Sequence, residues 1–276
     1  MKICIMSYCY SRALTAGTLD FRGMLRECAR LEAGVELLRR HADGWSADDL
    51  RSLTQDLGVP VPVLLESASI VDPDPARRAN AADGARVGLD LAVTLGTKVM
   101  MVLPGGDPRG ADDGEVRRWI GEGAQLICEA ARGSGVRIVV ENHGGAWRWR
   151  GRVEHMLHIF EHAPDLGLCF DNGNFFLAGE TQEEAFARLQ TRIAHVHFKD
   201  WHHADGDGKG VLARDGRRYT GAIIGEGVVP TRTTLSLLAN AGYRGYLSVE
   251  YEGSEDPVAA TARATRNLKA MAAALE

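Results

Sequence analysis

Four apolar runs in the second half of this sequence end on side chains that bind metals. VVENHGG supplies Glu141, LCFDNGN supplies Asp171, HVHFKD supplies His197 and LSVEYEG supplies Glu250. A carboxylate directly after a buried strand is costly unless it coordinates a cation or is paired. Alternation along a strand puts Glu141 on one face with His143, His195 with His197 and Lys199, and Ser248 with Glu250 and Glu252. If those faces point into a common interior, the groups converge. Three carboxylates and one imidazole form a mainly hard donor set, which predicts one divalent ion. Mn²⁺ is the first expectation, with Mg²⁺, Co²⁺ and Zn²⁺ as alternatives. Such an ion would hold two oxygens of a ketose or α-hydroxy carbonyl compound, polarise the carbonyl and acidify the neighbouring C–H. A base beside it would make an enediolate, and Glu141 and Glu250 are placed to work on opposite faces of a substrate carbon.

Eight short apolar or β-branched runs carry or precede these groups: Lys2–Met6, Gly34–Leu38, Val61–Leu65, Lys98–Leu103, Arg137–Val140, Leu166–Phe170, Ile193–Phe198 and Tyr246–Val249. Amphipathic segments of helical period lie between them, at Phe21–Leu31, Ala81–Thr94, Glu115–Ala131, Val153–His162, Glu183–Leu189 and Thr231–Ala241, with a last helix over Pro257–Leu275. No G-x-G-x-x-G follows the first run, and no Pro/Ser linker or composition break divides the chain. The pattern predicts an α/β protein, a single (β/α)8 TIM barrel over residues 1–276. Two polar stretches exceed ordinary loop length, Gly105–Asp113 and Trp201–Gly227. On a barrel they would sit over the C-terminal face, where active sites lie.

These segments resemble the xylose isomerase-like TIM barrel family of sugar and sugar-phosphate isomerases and epimerases. The resemblance runs through VELLRRH, ENHGG, FDNGNF, HVHFKD, IIGEGVVP and AGYRGYLSVEYEG. It implies Glu141, Asp171, His197 and Glu250 as the metal ligands, with Glu141 and Glu250 also the acid/base pair. The function it implies is a metal-dependent sugar or sugar-phosphate isomerase or epimerase acting through an enediolate. The chain departs from the free-ketose epimerases of that family: Asn174 stands where they carry a His, and Lys199, Asp200, Trp201, His202 and His203 replace a Gly-Glu pair followed by Arg. His143 resembles instead a placement in relatives that eliminate a group from 3-oxo-sugars. The alternative is therefore a lyase or dehydratase on a 3-oxo-sugar or keto-polyol, in which a His removes the proton next to the ketone.

The remaining candidates each carry two readings. His143 is either that base or a group orienting a ligand. Lys199 either stabilises the enediolate oxygen or pairs with Asp200 or Glu226. Glu36, Asn174, Trp147, His203 and Glu226 are the expected substrate contacts, Trp147 as an apolar wall together with Trp149 and Trp201. His195 lies one layer deeper than His197 and reads as core or as a group supporting a ligand, not as direct chemistry. His155, His158 and His162 share helical spacing with Val153, Met156, Leu157, Ile159 and Phe160, which reads as the solvated side of an amphipathic helix.

Composition excludes several other classes. The 276 residues carry a net charge of −5, with 32 Lys and Arg interspersed among 37 Asp and Glu, so no basic stripe is available to follow a phosphate backbone. A nucleic-acid partner is not expected, which argues against a metal-dependent endonuclease. No apolar stretch approaches the ~20 residues of a membrane span. The five Cys form no CxxC pair, as expected for reduced core thiols of a cytoplasmic protein. The expected partner is a small sugar-like molecule, and exposed Trp on the upper loops would suit a homo-oligomer.

Overall fold

The computed structural model describes residues 1–143, 149–204 and 209–275. The barrel strands are β1 (Lys2–Met6), β2 (Gly34–Leu38), β3 (Val63–Val71), β4 (Val99–Gly106), β5 (Arg137–Glu141), β6 (Gly167–Asp171) and β7 (Ile193–Phe198). After β7 the chain forms β8 (Asp200–His203), β9 (Val211–Leu212) and β10 (Arg218–Ala222), then returns as β11 (Tyr246–Val249). The parallel order β1-β11-β7-β6-β5-β4-β3-β2 closes on itself, with β1 paired to β11 on one side and β2 on the other. This is a (β/α)8 barrel. Helices α1 (Ser11–Thr15), α2 (Phe21–Arg30), α3 (Ala47–Asp56), α4 (Pro75–Gly84), α5 (Arg86–Leu95) and α6 (Asp113–Ala130) accompany the first half. Helices α7 (Val153–Glu161), α8 (Asn172–Leu177), α9 (Gln182–Leu189), α10 (Thr231–Asn240) and α11 (Pro257–Ala273) accompany the second.

The reason for closure is visible in the burial. Every residue of β2 and of β6 is buried, as parallel strands must be when side chains fill the barrel on one face and helices cover the other. Side-chain oxygens start the helices: Asp20 accepts from Gly23 N, Asp112 from Gly114 N and Glu115 N, and Asp256 from Ala259 N. Among the described residues no helix is long and apolar enough to cross a membrane. All five cysteines are free and buried.

Four differences from the sequence reading bear on the architecture. Strand β3 starts at Val63 and runs to Val71, because Pro60 and Pro62 lack the N–H a ladder needs, while its end pairs with β4 as far as Val71–Gly106. The expected helix over 81–94 is two helices that meet at Ala85, the first opened by Asp74 and Pro75. Helix α3 was not expected; Ser46 caps it by accepting from Asp49 N. The polar stretch after β7 is no plain loop: β8, β10 and β9 form an antiparallel sheet over a small core of Leu177, Trp201, Ala213, Tyr219 and Val229.

Candidate metal and catalytic centre

Glu141 ends β5, Asp171 ends β6, His197 lies on β7 and Glu250 follows β11, so neighbouring strands deliver all four to the C-terminal end of the barrel. All four are buried, and each offers a ligand atom within 4.8 Å of those of the others. His197 Nδ1 is 2.8 Å from Glu250 Oε2, 3.0 Å from Glu141 Oε1 and 3.9 Å from Asp171 Oδ2. Its other nitrogen, Nε2, lies 2.8 Å from Glu36 Oε1, while Glu36 Oε2 lies 2.8 Å from His195 Nε2. Burial opposes ionisation of Glu36, but His197 and His195 outweigh it and hold its carboxyl well below the usual range. An ionised Glu36 accepts from both Nε2–H groups. That fixes the tautomer of His197 and turns the Nδ1 lone pair toward the carboxylates, an arrangement common behind metal-binding imidazoles.

The cluster calls for positive charge. Burial raises the Asp171 carboxyl well above its ordinary value, and Glu141 and Glu250 add to that against Lys199 and His197. Burial likewise opposes Glu250, but there Lys199 and His197 prevail and hold it down. Burial would lower the His197 pKa, yet Cys169, Glu36 and Glu141 raise it well above the ordinary value, so a divalent ion would take the place of a proton on Nδ1. Asp171 Oδ2 and Glu250 Oε2 are sealed from solvent without a hydrogen-bond donor among the described residues. Three carboxylates around one imidazole, with two orphaned oxygens, fit a divalent ion of the hard-to-borderline class.

Other side chains hold the ligands in place. Asn142, fully buried, spans β5 and β6: its Nδ2 donates to Asp171 O at 2.9 Å and its Oδ1 accepts from Asp171 N at 2.8 Å. Asn174 N donates to Asp171 Oδ1 at 2.6 Å, and Asn174 Nδ2 donates to Glu141 Oε1 at 3.3 Å. Asn172 Oδ1 accepts from Lys199 N at 2.9 Å. Removing the charge beneath the imidazole, by Glu36→Gln, is expected to weaken divalent-ion binding roughly 10- to 100-fold. Titration calorimetry with Mn²⁺ checks this, and an unchanged affinity would show that Glu36 does not set the His197 tautomer.

His143 follows Glu141 by two positions and is half-buried. Its main-chain N–H donates to Arg150 O at 3.2 Å, while its Nδ1 has no hydrogen-bond partner among the described residues. Burial lowers its pKa; Glu141 and Glu250 oppose this, but Arg150 and Lys199 add to it, so the ring stays neutral near pH 7. Lys199 is buried, with Nζ 3.0 Å from Glu252 Oε1, 3.2 Å from Glu250 Oε1 and 3.6 Å from Asp171 Oδ2. Burial would lower its pKa, but Glu250, Glu252, Asp171 and Glu141 raise it well above the ordinary value, so it is an ammonium.

Several expected contacts sit elsewhere. Lys199 pairs with neither Asp200 nor Glu226. Asp200 instead accepts from the N–H groups of Trp201, Gly225, Gly227 and Val229, at 2.8 to 3.0 Å, and clamps that turn to the end of β7. A Cβ at Gly227 would lie 2.3 Å from Asp200 Oδ1, which is why glycine is required there. Glu226 is turned to α11, where Arg263 Nε lies 2.7 Å and Asn267 Nδ2 3.1 Å from its Oε1. Glu36, expected as a substrate contact, has both oxygens engaged by the histidines His195 and His197. His203 is exposed on β8, its ring 5.0 Å from that of Tyr219, on the small sheet rather than among the ligands. Asn174 is buried and braces Asp171 and Glu141. Trp201 is buried in the small core and donates to Gly173 O, and Trp149 donates to Asp113 Oδ1. Trp147 lies outside the described residues.

Sequence reasoning had not singled out Asn142, Asn172 or Glu252. Glu252 carried a signal, since it shares the Glu250 face; the two asparagines carried none beyond lying next to ligands. On α7, His158, Glu161 and His162 also approach one another. There Arg117 Nε already donates to His158 Nδ1 at 3.3 Å.

Residues 24–271 match the model of the xylose isomerase-like TIM barrel family, and the chain belongs to that family. Among characterised relatives it is similar to the inosose dehydratase of Lacticaseibacillus casei, 30% identical over 144 residues, which covers 50% of this chain and 47% of that protein. The chain thus aligns with about half the length of such relatives. Among solved structures, the probable 3-DHS dehydratase AsbF of Bacillus anthracis superposes with a TM-score of 0.74 at 16% identity, over 98% of each chain. The IOLI protein with a bound zinc atom superposes with a TM-score of 0.76 at 18% identity, over 100% of this chain and 98% of the other.

Proposed function

We propose that this chain is a divalent-metal-dependent lyase, a dehydratase that removes water from a keto-polyol or 3-oxo-sugar. The observation that carries the reading is His143: a neutral imidazole near the buried carboxylates, with Nδ1 unpartnered among the described residues. An orienting histidine would have both nitrogens engaged; a base keeps one nitrogen without a partner, as His143 does at Nδ1 among the described residues. The relatives named inosose dehydratase support the same class. Isomerisation, the first expectation from sequence, is less well supported by them.

A divalent ion held by Glu141, Asp171, His197 and Glu250 supplies Lewis acidity that polarises a ketone and acidifies the adjacent C–H. His143 takes that proton on Nδ1. The C–H electron pair becomes the new C=C bond, the C–O bond at the β-carbon breaks, and the hydroxyl leaves as water with the proton His143 had taken. The Lys199 ammonium, fixed within 3.2 Å of Glu250, donates a hydrogen bond to the ketone oxygen as it gains charge.

Proton NMR in D₂O with the Mn²⁺-reconstituted protein, read after the metal is stripped from product, tests the proposal. The panel is inosose, 3-oxo-glucosides, free ketoses and ketose phosphates, each repeated after chelation. A new vinylic signal, or for a keto-polyol the deuterated methylene left when the enol ketonises, with loss of a β-substituent and abolished by the chelator, is the expected result. Deuterium uptake with every substituent retained would overturn it in favour of an isomerase or epimerase.

A further inference from the structure

Lys199 stands between two sets of carboxylates. On one side are Glu250 Oε1 at 3.2 Å and Asp171 Oδ2 at 3.6 Å, both in the ligand cluster; on the other is Glu252 Oε1 at 3.0 Å, outside it. The ammonium and a divalent ion therefore call on the carboxylates of the same two residues. Two cations that share those carboxylates repel each other, and the arrangement holds only if a further anion takes one of them. Glu252 is placed to be that anion: burial and the neighbouring Glu250 push its pKa up, and the Lys199 ammonium at 3.0 Å opposes them. Its side chain is 26% exposed against 6% for Glu250, which places it at the outer edge of the cluster. The small sheet keeps it there: Gly221 of β10 packs so tightly on the Glu252 main chain that a Cβ would come within 2.4 Å of the Glu252 carbonyl carbon. Lys199 is anchored at its other end, where its main-chain N–H donates to Asn172 Oδ1 at 2.9 Å.

We infer that Glu252 is a positioning residue: it draws the Lys199 ammonium off Glu250 and Asp171, so that those carboxylates serve the metal while the ammonium stays beside the substrate. This rests on the metal reading of the four-residue cluster and not on the dehydratase reading. The small sheet thereby acquires a role, since it holds the Glu252 main chain in register with Lys199.

A double-mutant cycle on Mn²⁺ affinity, read from the EPR signal of the free ion, tests the inference in wild type, Glu252→Gln, Lys199→Met and the double variant. Glu252→Gln is expected to weaken Mn²⁺ binding about tenfold, because the ammonium falls back onto Glu250 and Asp171. Lys199→Met is expected to bind more tightly than wild type, since the competing cation is gone. In that background Glu252→Gln should cost less than about twofold, the cycle showing strong coupling. An equal loss with and without Lys199 would show that Glu252 acts only as a nearby charge, and no loss in either background would show that Lys199 does not compete; either overturns the inference. Glu252→Asp, read in the same two backgrounds, guards against a folding defect of the Gln form: its smaller loss must also vanish without Lys199. Wild type that binds no Mn²⁺ would overturn the metal reading and this inference together.

Discussion

Glu250→Gln is expected to abolish turnover and to weaken divalent-ion binding by roughly 10²- to 10³-fold, as breaking a buried charged set costs about 3–5 kcal/mol. The substitution keeps the size of the side chain and removes one of three carboxylate charges. Among the described residues Glu250 Oε2 has no hydrogen-bond donor, and it lies 2.8 Å from His197 Nδ1. Its Oε1 also faces Lys199 at 3.2 Å, and loss of that charge leaves the ammonium to Glu252 and Asp171. Calorimetry with Mn²⁺ and the NMR turnover assay read the two effects separately. Full activity with unchanged affinity would remove Glu250 from the centre, and intact substrate binding with no proton exchange would locate its effect in the chemistry.

The second large effect is expected at His143. His143→Gln should lower kcat by about 10²- to 10⁴-fold, the usual worth of a positioned general base. Metal affinity should stay within about threefold of wild type, because an orienting residue would instead cost 10- to 100-fold there. The two measurements thus separate base from orienter. The neutral state of the ring makes it competent as a base without a prior proton loss, and the lone pair at Nδ1, which has no partner among the described residues, is the place for the abstracted proton. If the variant retained solvent exchange of the substrate C–H at the wild-type rate, the proton would be moved by Glu141 or Glu250. That outcome would favour isomerisation over elimination.

The legibility of this chain divides along sequence separation. The amino-acid sequence by itself determined the barrel and the places of Glu141, Asp171, His197 and Glu250 along it. Each signal is local, an apolar run of strand length closed by a polar group, and β1, β2, β7 and β11 have the residue bounds that their patterns predict. Strand β3 was read too short because its second half is stabilised by pairing with β4, not by its own pattern. Only the tertiary structure decided which partners the charged groups take. Glu36 reaches His195 and His197 across 159 and 161 residues, and Lys199 pairs with Glu252 rather than with the Asp200 beside it. Asp200 is held by backbone N–H groups of a turn more than twenty residues on, and that turn sends Glu226 to α11. Periodicity encodes which face of a strand a side chain occupies; it does not encode which of several nearby charges it meets. That choice follows from how the barrel closes and how the small sheet lies against the segment after β11, where burial makes each unpaired charge costly and leaves one arrangement that satisfies them together.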